Sequence, residues 1–155
     1  MFTILKNVKY LLFFLFLSSI KVEANQHAKI ALHGGYTFET SLEQKATAVY
    51  LSFFNNSEKE IEIESFSTDI ANTVEMHDIK ITDDVVKMLK VDNVQIKPKS
   101  ELFLQPGGRH LMLFGLKKKL NEKESFVLKV HLKNTVILET NILVLDKKLK
   151  ANFLN

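Results

Sequence analysis

The 155-residue sequence contains no cysteine. That absence excludes disulfide staples, thiol–disulfide exchange and any blue-type copper centre, which requires a thiolate ligand. A fold built from this chain must be held by its core alone. Other absences narrow the reading further. No Gly-x-Ser-x-Gly elbow, His-Glu-x-x-His pair or paired-carboxylate pattern is present, so hydrolysis has no candidate machinery. There is no twin arginine, no lipobox cysteine, no internal repeat and no low-complexity linker to divide the chain.

What is present begins with an export pattern. Lys6 and Lys9 precede an apolar stretch from Tyr10 to Ile20, and Val22-Glu23-Ala24 has the small or aliphatic residues of a cleavage site. An apolar stretch this short falls below the roughly 20 residues a helix needs to cross a bilayer, which argues against a permanent anchor. The expectation is a Sec-type signal peptide over residues 1–24, a mature single domain over 25–155, periplasmic localisation and no stable membrane insertion after cleavage. The formal net charge of +3 drops to +1 once Lys6, Lys9, Lys21 and Glu23 leave with the leader. The basic pI therefore owes much to the leader, and a nucleic-acid partner gains no support. The Lys117 to Lys119 run reads as a solvated turn.

Beyond the leader, hydrophobicity alternates with a period of two in short segments rich in Val, Ile, Leu and Phe. Strands are expected near 29–32, 46–55, 60–67, 74–81, 86–91, 101–104, 110–116, 125–133 and 136–144. Turn residues separate them, as at Asn55-Asn56-Ser57, Thr82-Asp83-Asp84, Pro106-Gly107-Gly108 and Lys133-Asn134. Ile61 and Ile63 lie between three glutamates, while Phe126, Leu128, Val130 and Leu132 form a second alternating row facing the core. Many short strands without an amphipathic helix predict an all-β sandwich or Greek-key barrel.

Four residues carry chemistry that packing does not require: His77, Met88, His110 and Met112. Two imidazoles and two thioethers, without acid or thiol, make a soft neutral donor set suited to Cu(I). Thioethers also tolerate an oxidising compartment better than a thiolate, although they can still become sulfoxides. Ten residues separate His77 from Met88, twenty-one separate Met88 from His110, and one separates His110 from Met112. A chance match to this pattern in a chain of this composition is on the order of one in ten thousand. Taken singly, each would read as core or surface packing, since Met commonly fills gaps.

His110 and Met112 are two apart on an expected strand, so they leave the same face while Leu111 and Leu113 enter the core. The Pro-Gly-Gly turn just before them places that half-site at an end of the sandwich, with glycine leaving space beside a ligand. His77 and Met88 flank the turn at 82–84, so a hairpin would bring them near each other. Met76, on the opposite face from His77, reads as core. His131 reads as a solvated histidine and His33 as a loop residue before Gly34-Gly35.

With this spacing, the segments Ala48 to Phe53 (AVYLSF), Val74 to Met88 (VEMHDIKITDDVVKM) and Leu104 to Leu116 (LQPGGRHLMLFGL) resemble the PCu(A)C family of periplasmic copper chaperones. The resemblance runs from about Ala46 to Asp146. It implies a cupredoxin-like sandwich in which the His77–Met88 pair meets the His110–Met112 pair around copper. It also implies a non-enzymatic monomer that passes Cu(I) by ligand exchange to a copper-acceptor protein, either the Cu(A) centre of cytochrome c oxidase or a Sco-type assembly partner. Some members carry a His- and Met-rich tail; Lys147 to Asn155 has neither residue.

Two other function classes compete with this reading. An exported copper-dependent redox enzyme would need a second copper site or a substrate cleft, of which the sequence gives no sign. A metal-free envelope β-sandwich would use all four residues as packing. Separately, cleavage after Ala24 would start the mature chain Asn25-Gln26-His27, whose amine, two amides and imidazole form a square-planar set for Cu(II).

Overall fold

The computed structural model describes residues 30–82 and 85–153. The expected signal peptide, Asn25-Gln26-His27 and the turn residues Asp83-Asp84 lie outside the described residues. Ten strands form within them: β1 (Ile30–Phe38), β2 (Ala46–Asn55), β3 (Ile61–Ser67), β4 (Thr73–Thr82), β5 (Val85–Lys90), β6 (Val94–Ile96), β7 (Glu101–Phe103), β8 (His110–Phe114), β9 (Ser125–Leu132) and β10 (Ile137–Leu145). A 3₁₀ helix, Lys147–Phe153, follows them. The chain has the all-β, cupredoxin-like architecture expected of it.

The strands join in the order β5-β4-β8-β2-β1-β10-β9-β3-β6. Phe66 of β3 also pairs with Val74 of β4, which closes the path into a near-ring. The β1–β10 pair is parallel, and every other pair is antiparallel. One face of every strand except the exposed β5 fills the interior: Val49, Leu51 and Phe53 from β2, Leu111 and Leu113 from β8, Leu128 and Val130 from β9, and Ile142 and Val144 from β10 are all buried. Met76 joins this core, as its parity on β4 requires. Burying a large aliphatic side chain of this kind contributes about 1.5–3 kcal/mol relative to leaving it exposed, which compensates for the missing disulfides.

Three local features depart from expectation. β1 runs through Gly34-Gly35 instead of ending before them, because the register with β2 shifts between His33 and Tyr36. Gly34, at φ 67°, supplies the backbone conformation that such a bulge needs. His33 is therefore an exposed strand residue, edge-on to Phe54, and not part of a loop. His131 is half-buried and hydrogen-bonded to Ser67 Oγ at 2.7 Å, so it is not simply solvated. β6 is too short for its alternation, buried Val94 and Ile96 around exposed Gln95, to stand out in a sequence. Lys117, Lys118 and Lys119 are exposed in a turn, as expected.

Candidate metal centre

β5, β4 and β8 are consecutive in the sheet, and they carry all four candidate donors. Alternation sends Met76, Leu111 and Leu113 inward, so His77, His110 and Met112 emerge on the outward face. The register brings His77 of β4 opposite His110 of β8, with ring centroids 6.0 Å apart. Met112 lies opposite Glu75, one side-chain step along the strands from the histidine pair. Met88 lies opposite Ile79, one step the other way. The two thioethers thus flank the two imidazoles on one face of three adjacent strands. The hairpin that the spacing of His77 and Met88 predicts is present, with Thr82 paired to Val85 at its tip.

The donors differ in surroundings. His110 is buried, and its ring lies 6.5 Å from that of buried Tyr50. His77 is 14% exposed and packs 5.8 Å from the Phe114 ring. Met112 is half-buried, whereas Met88 is 60% exposed because the β4–β5 hairpin continues past the core. One side of the group is thus sheltered and the other is accessible.

Hydrogen bonds orient both rings. Gly108 contributes a carbonyl, which can only accept, so the 2.8 Å contact with His110 requires Nδ1–H as donor and leaves Nε2 with its lone pair in the neutral ring. The turn that supplies this carbonyl is closed by Gln105 N–H to Arg109 O at 2.8 Å and Gly108 N–H to Gln105 O at 3.1 Å, with Gly107 at φ 77°. His77 Nε2 lies 3.0 Å from Glu75 Oε2, and His77 Nδ1 is buried without a hydrogen-bond partner. An unpaired buried polar atom costs about 1–3 kcal/mol, so its presence beside the His110 ring fits a metal-binding role. The hydrogen bond from His77, with Lys90 adding its charge, holds the Glu75 carboxyl below the usual range.

Glu75 is a carboxylate beside the group, on the same face opposite Met112, and it is already engaged by His77 and Lys90. Burial pushes the Tyr50 phenol up, so it stays neutral beside His110. Among the described residues, no cluster of three or more His, Cys, Asp or Glu side chains is arranged to hold a metal ion. The donor chemistry that remains is imidazole and thioether, which suits Cu(I). Sequence reasoning overlooked Glu75 and Tyr50 around these candidate donors, and the ring-orienting role of the Gly108 carbonyl. Glu75 had a legible signal, since it stands two residues before His77 and shares its strand face. The Asn25, Gln26 and His27 set lies outside the described residues.

This outward face lies on a closed β-sandwich of cupredoxin-like fold. The structure is similar to the copper-bound PCuAC domain from PmoF2, with 14% identity, a TM-score of 0.64, and coverage of 76% of this chain and 93% of that one. It is also similar to DR1885 from Deinococcus radiodurans. The apo solution structure of that protein gives 23% identity and a TM-score of 0.60 over 79% of this chain and 82% of that one. Its CuI form gives 24% identity and a TM-score of 0.56 over 74% and 76%. The family described as "Putative lipoprotein LpqE-like" matches residues 30–144, and the chain belongs to that LpqE-like family. No cysteine among its 155 residues is available to carry the thioether-linked lipid of a lipoprotein. No curated protein matches the sequence.

Proposed function

We propose that the protein is an exported Cu(I)-binding metallochaperone whose donors are His77, Met88, His110 and Met112. The observation that carries this reading is the cross-strand pairing of His77 with His110, flanked on the same face by both methionines. The unpartnered Nδ1 of His77 and the lone pair left on His110 Nε2 add two nitrogen donors. The copper-bound form of the PmoF2 domain and the CuI form of DR1885, both similar in fold, lend the metal further support.

Delivery needs no covalent step. Met88 is the exposed donor, so an incoming ligand displaces it first while the more sheltered histidines keep hold of the ion. A thiolate-bearing acceptor holds soft copper more strongly than thioethers do, and transfer runs downhill. The Cu(A) centre of cytochrome c oxidase and a Sco-type assembly protein are acceptors of that chemistry, and the periplasm is the compartment that the leader pattern points to. In this reading the mature N-terminus, Asn25-Gln26-His27, is a separate Cu(II) site. His27→Ala should remove one Cu(II) equivalent and its visible d–d band, and an unchanged titration excludes that site.

The test of the main site is anaerobic Cu(I) competition with the mature protein, Met88→Ala and His110→Ala. One equivalent held tightly by the parent and far more weakly by both variants is the expected result. Equal retention by all three rejects these donors.

A further inference from the structure

We infer that Glu75 is the positioning residue that selects which nitrogen His77 offers to copper, so that His77 donates through Nδ1 while His110 donates through Nε2. The inference rests on the copper reading above and adds to it an asymmetry between two residues that look equivalent in sequence. An ionised carboxylate only accepts hydrogen bonds, so the 3.0 Å contact between Glu75 Oε2 and His77 Nε2 places the proton on Nε2. The neutral ring then carries its lone pair on Nδ1, the atom that is buried and has no protein partner. His110 is held the other way round by the Gly108 carbonyl.

Glu75 is itself fixed. It lies two residues before His77 on the same face of β4, and its other oxygen, Oε1, is 3.6 Å from Lys90 Nζ. Lys90 is paired directly across from His77 on β5. One carboxylate thus spans a lysine on the edge strand and a histidine on the next strand. Partners of this kind fix the ring orientation and tautomer of a metal-binding histidine and raise its basicity, and losing them typically lowers metal affinity 10–100-fold.

The experiment is long-range ¹H–¹⁵N correlation of the histidine rings in the copper-free and Cu(I)-loaded full protein, with Glu75→Ala and Glu75→Gln measured beside it. In the copper-free parent, His77 should show the Nε2–H tautomer. On loading, His77 Nδ1 and His110 Nε2 should shift. Glu75→Ala should give His77 a mixture of tautomers and bind Cu(I) 10–100-fold more weakly. Glu75→Gln, whose amide oxygen still accepts from Nε2–H, should recover most of both. An Nδ1–H tautomer in the parent, or a His77 Nε2 shift on loading, overturns the assignment while leaving copper binding intact. Parent-like affinity and tautomer in Glu75→Ala overturns the role of Glu75. A parent that retains no Cu(I) in competition overturns the copper reading and, with it, the donor assignment. The parent's spectra decide the nitrogen even if Glu75→Ala fails to fold.

Discussion

Arg109 Nε donates to Asp78 Oδ2 at 2.7 Å, one residue along β4 and β8 from the point where His77 faces His110. The pair ties the Pro-Gly-Gly turn to the β4–β5 hairpin just beyond the buried part of the sheet.

The same pair gives a pH prediction. The Arg109 hydrogen bond holds the Asp78 carboxyl below its ordinary value, against the opposing effect of partial burial. Its folded-state value is depressed, so the stabilisation is complete above the ordinary aspartate range and is lost as pH falls through the lowered value. Both side chains are more than a third exposed, so solvent screening limits the contribution to under about 1 kcal/mol. Asp78→Asn should therefore flatten the acid limb of a thermal-stability profile between about pH 2 and 5. A limb as steep as the parent's would show that the pair contributes nothing.

Met88 and Met76 separate binding from packing. Met88 is exposed, so Met88→Leu should change stability by no more than about 0.5 kcal/mol while removing a soft donor and weakening Cu(I) binding. Met76 is 2% exposed and part of the core; Met76→Ala should cost about 2–5 kcal/mol, and Met76→Leu should bind Cu(I) like the parent. Thermal denaturation and Cu(I) competition on the three variants check both halves. Comparable affinity losses in Met88→Leu and Met76→Leu would mean that packing governs binding.

Copper should itself stabilise the fold. A ligand held only by the native state adds about 2.7 kcal/mol at a free concentration of 100 times its Kd. Anaerobic calorimetry of the parent with and without Cu(I) should therefore show a clear rise in Tm, absent in His110→Ala. Equal midpoints for loaded and copper-free parent would favour a metal-free role for all four residues.

Asn55 is a control far from the donors. It is buried at the end of β2, where its amide nitrogen donates to the carbonyls of Lys59, Ile96 and Lys97 at 2.8–3.0 Å, and its oxygen accepts from Ser57 N–H and Oγ–H. Asn55→Ala leaves these carbonyls short of a donor and should destabilise the protein by about 1–3 kcal/mol. Cu(I) affinity measured well below the melting temperature should not change. A parallel loss of affinity would tie the candidate donors to packing at the end of β2.

Much of the fold could be read from the chain. β2 has the bounds its alternation predicts, and the row Phe126, Leu128, Val130 and Leu132 is buried as expected. The misses have local causes. A bulge at Gly34-Gly35 looks like a turn in sequence because glycine serves both. β6 has only three residues, below the length at which alternation is distinctive.

Sequence by itself determined the candidate donor types and, on one strand, their face: two imidazoles and two thioethers, with His110 and Met112 on one side of a strand whose Leu111 and Leu113 belong to the core. Alternation is a local property, and one buried face is enough to orient a strand. Only the tertiary structure decided that β4 lies beside β8, in the register that sets His77 opposite His110. That choice depends on how distant strands share one core, and no nearest-neighbour pattern encodes it. The ring orientations followed from the same packing, because Glu75 and the Gly108 carbonyl act on the histidines through geometry formed only in the folded chain.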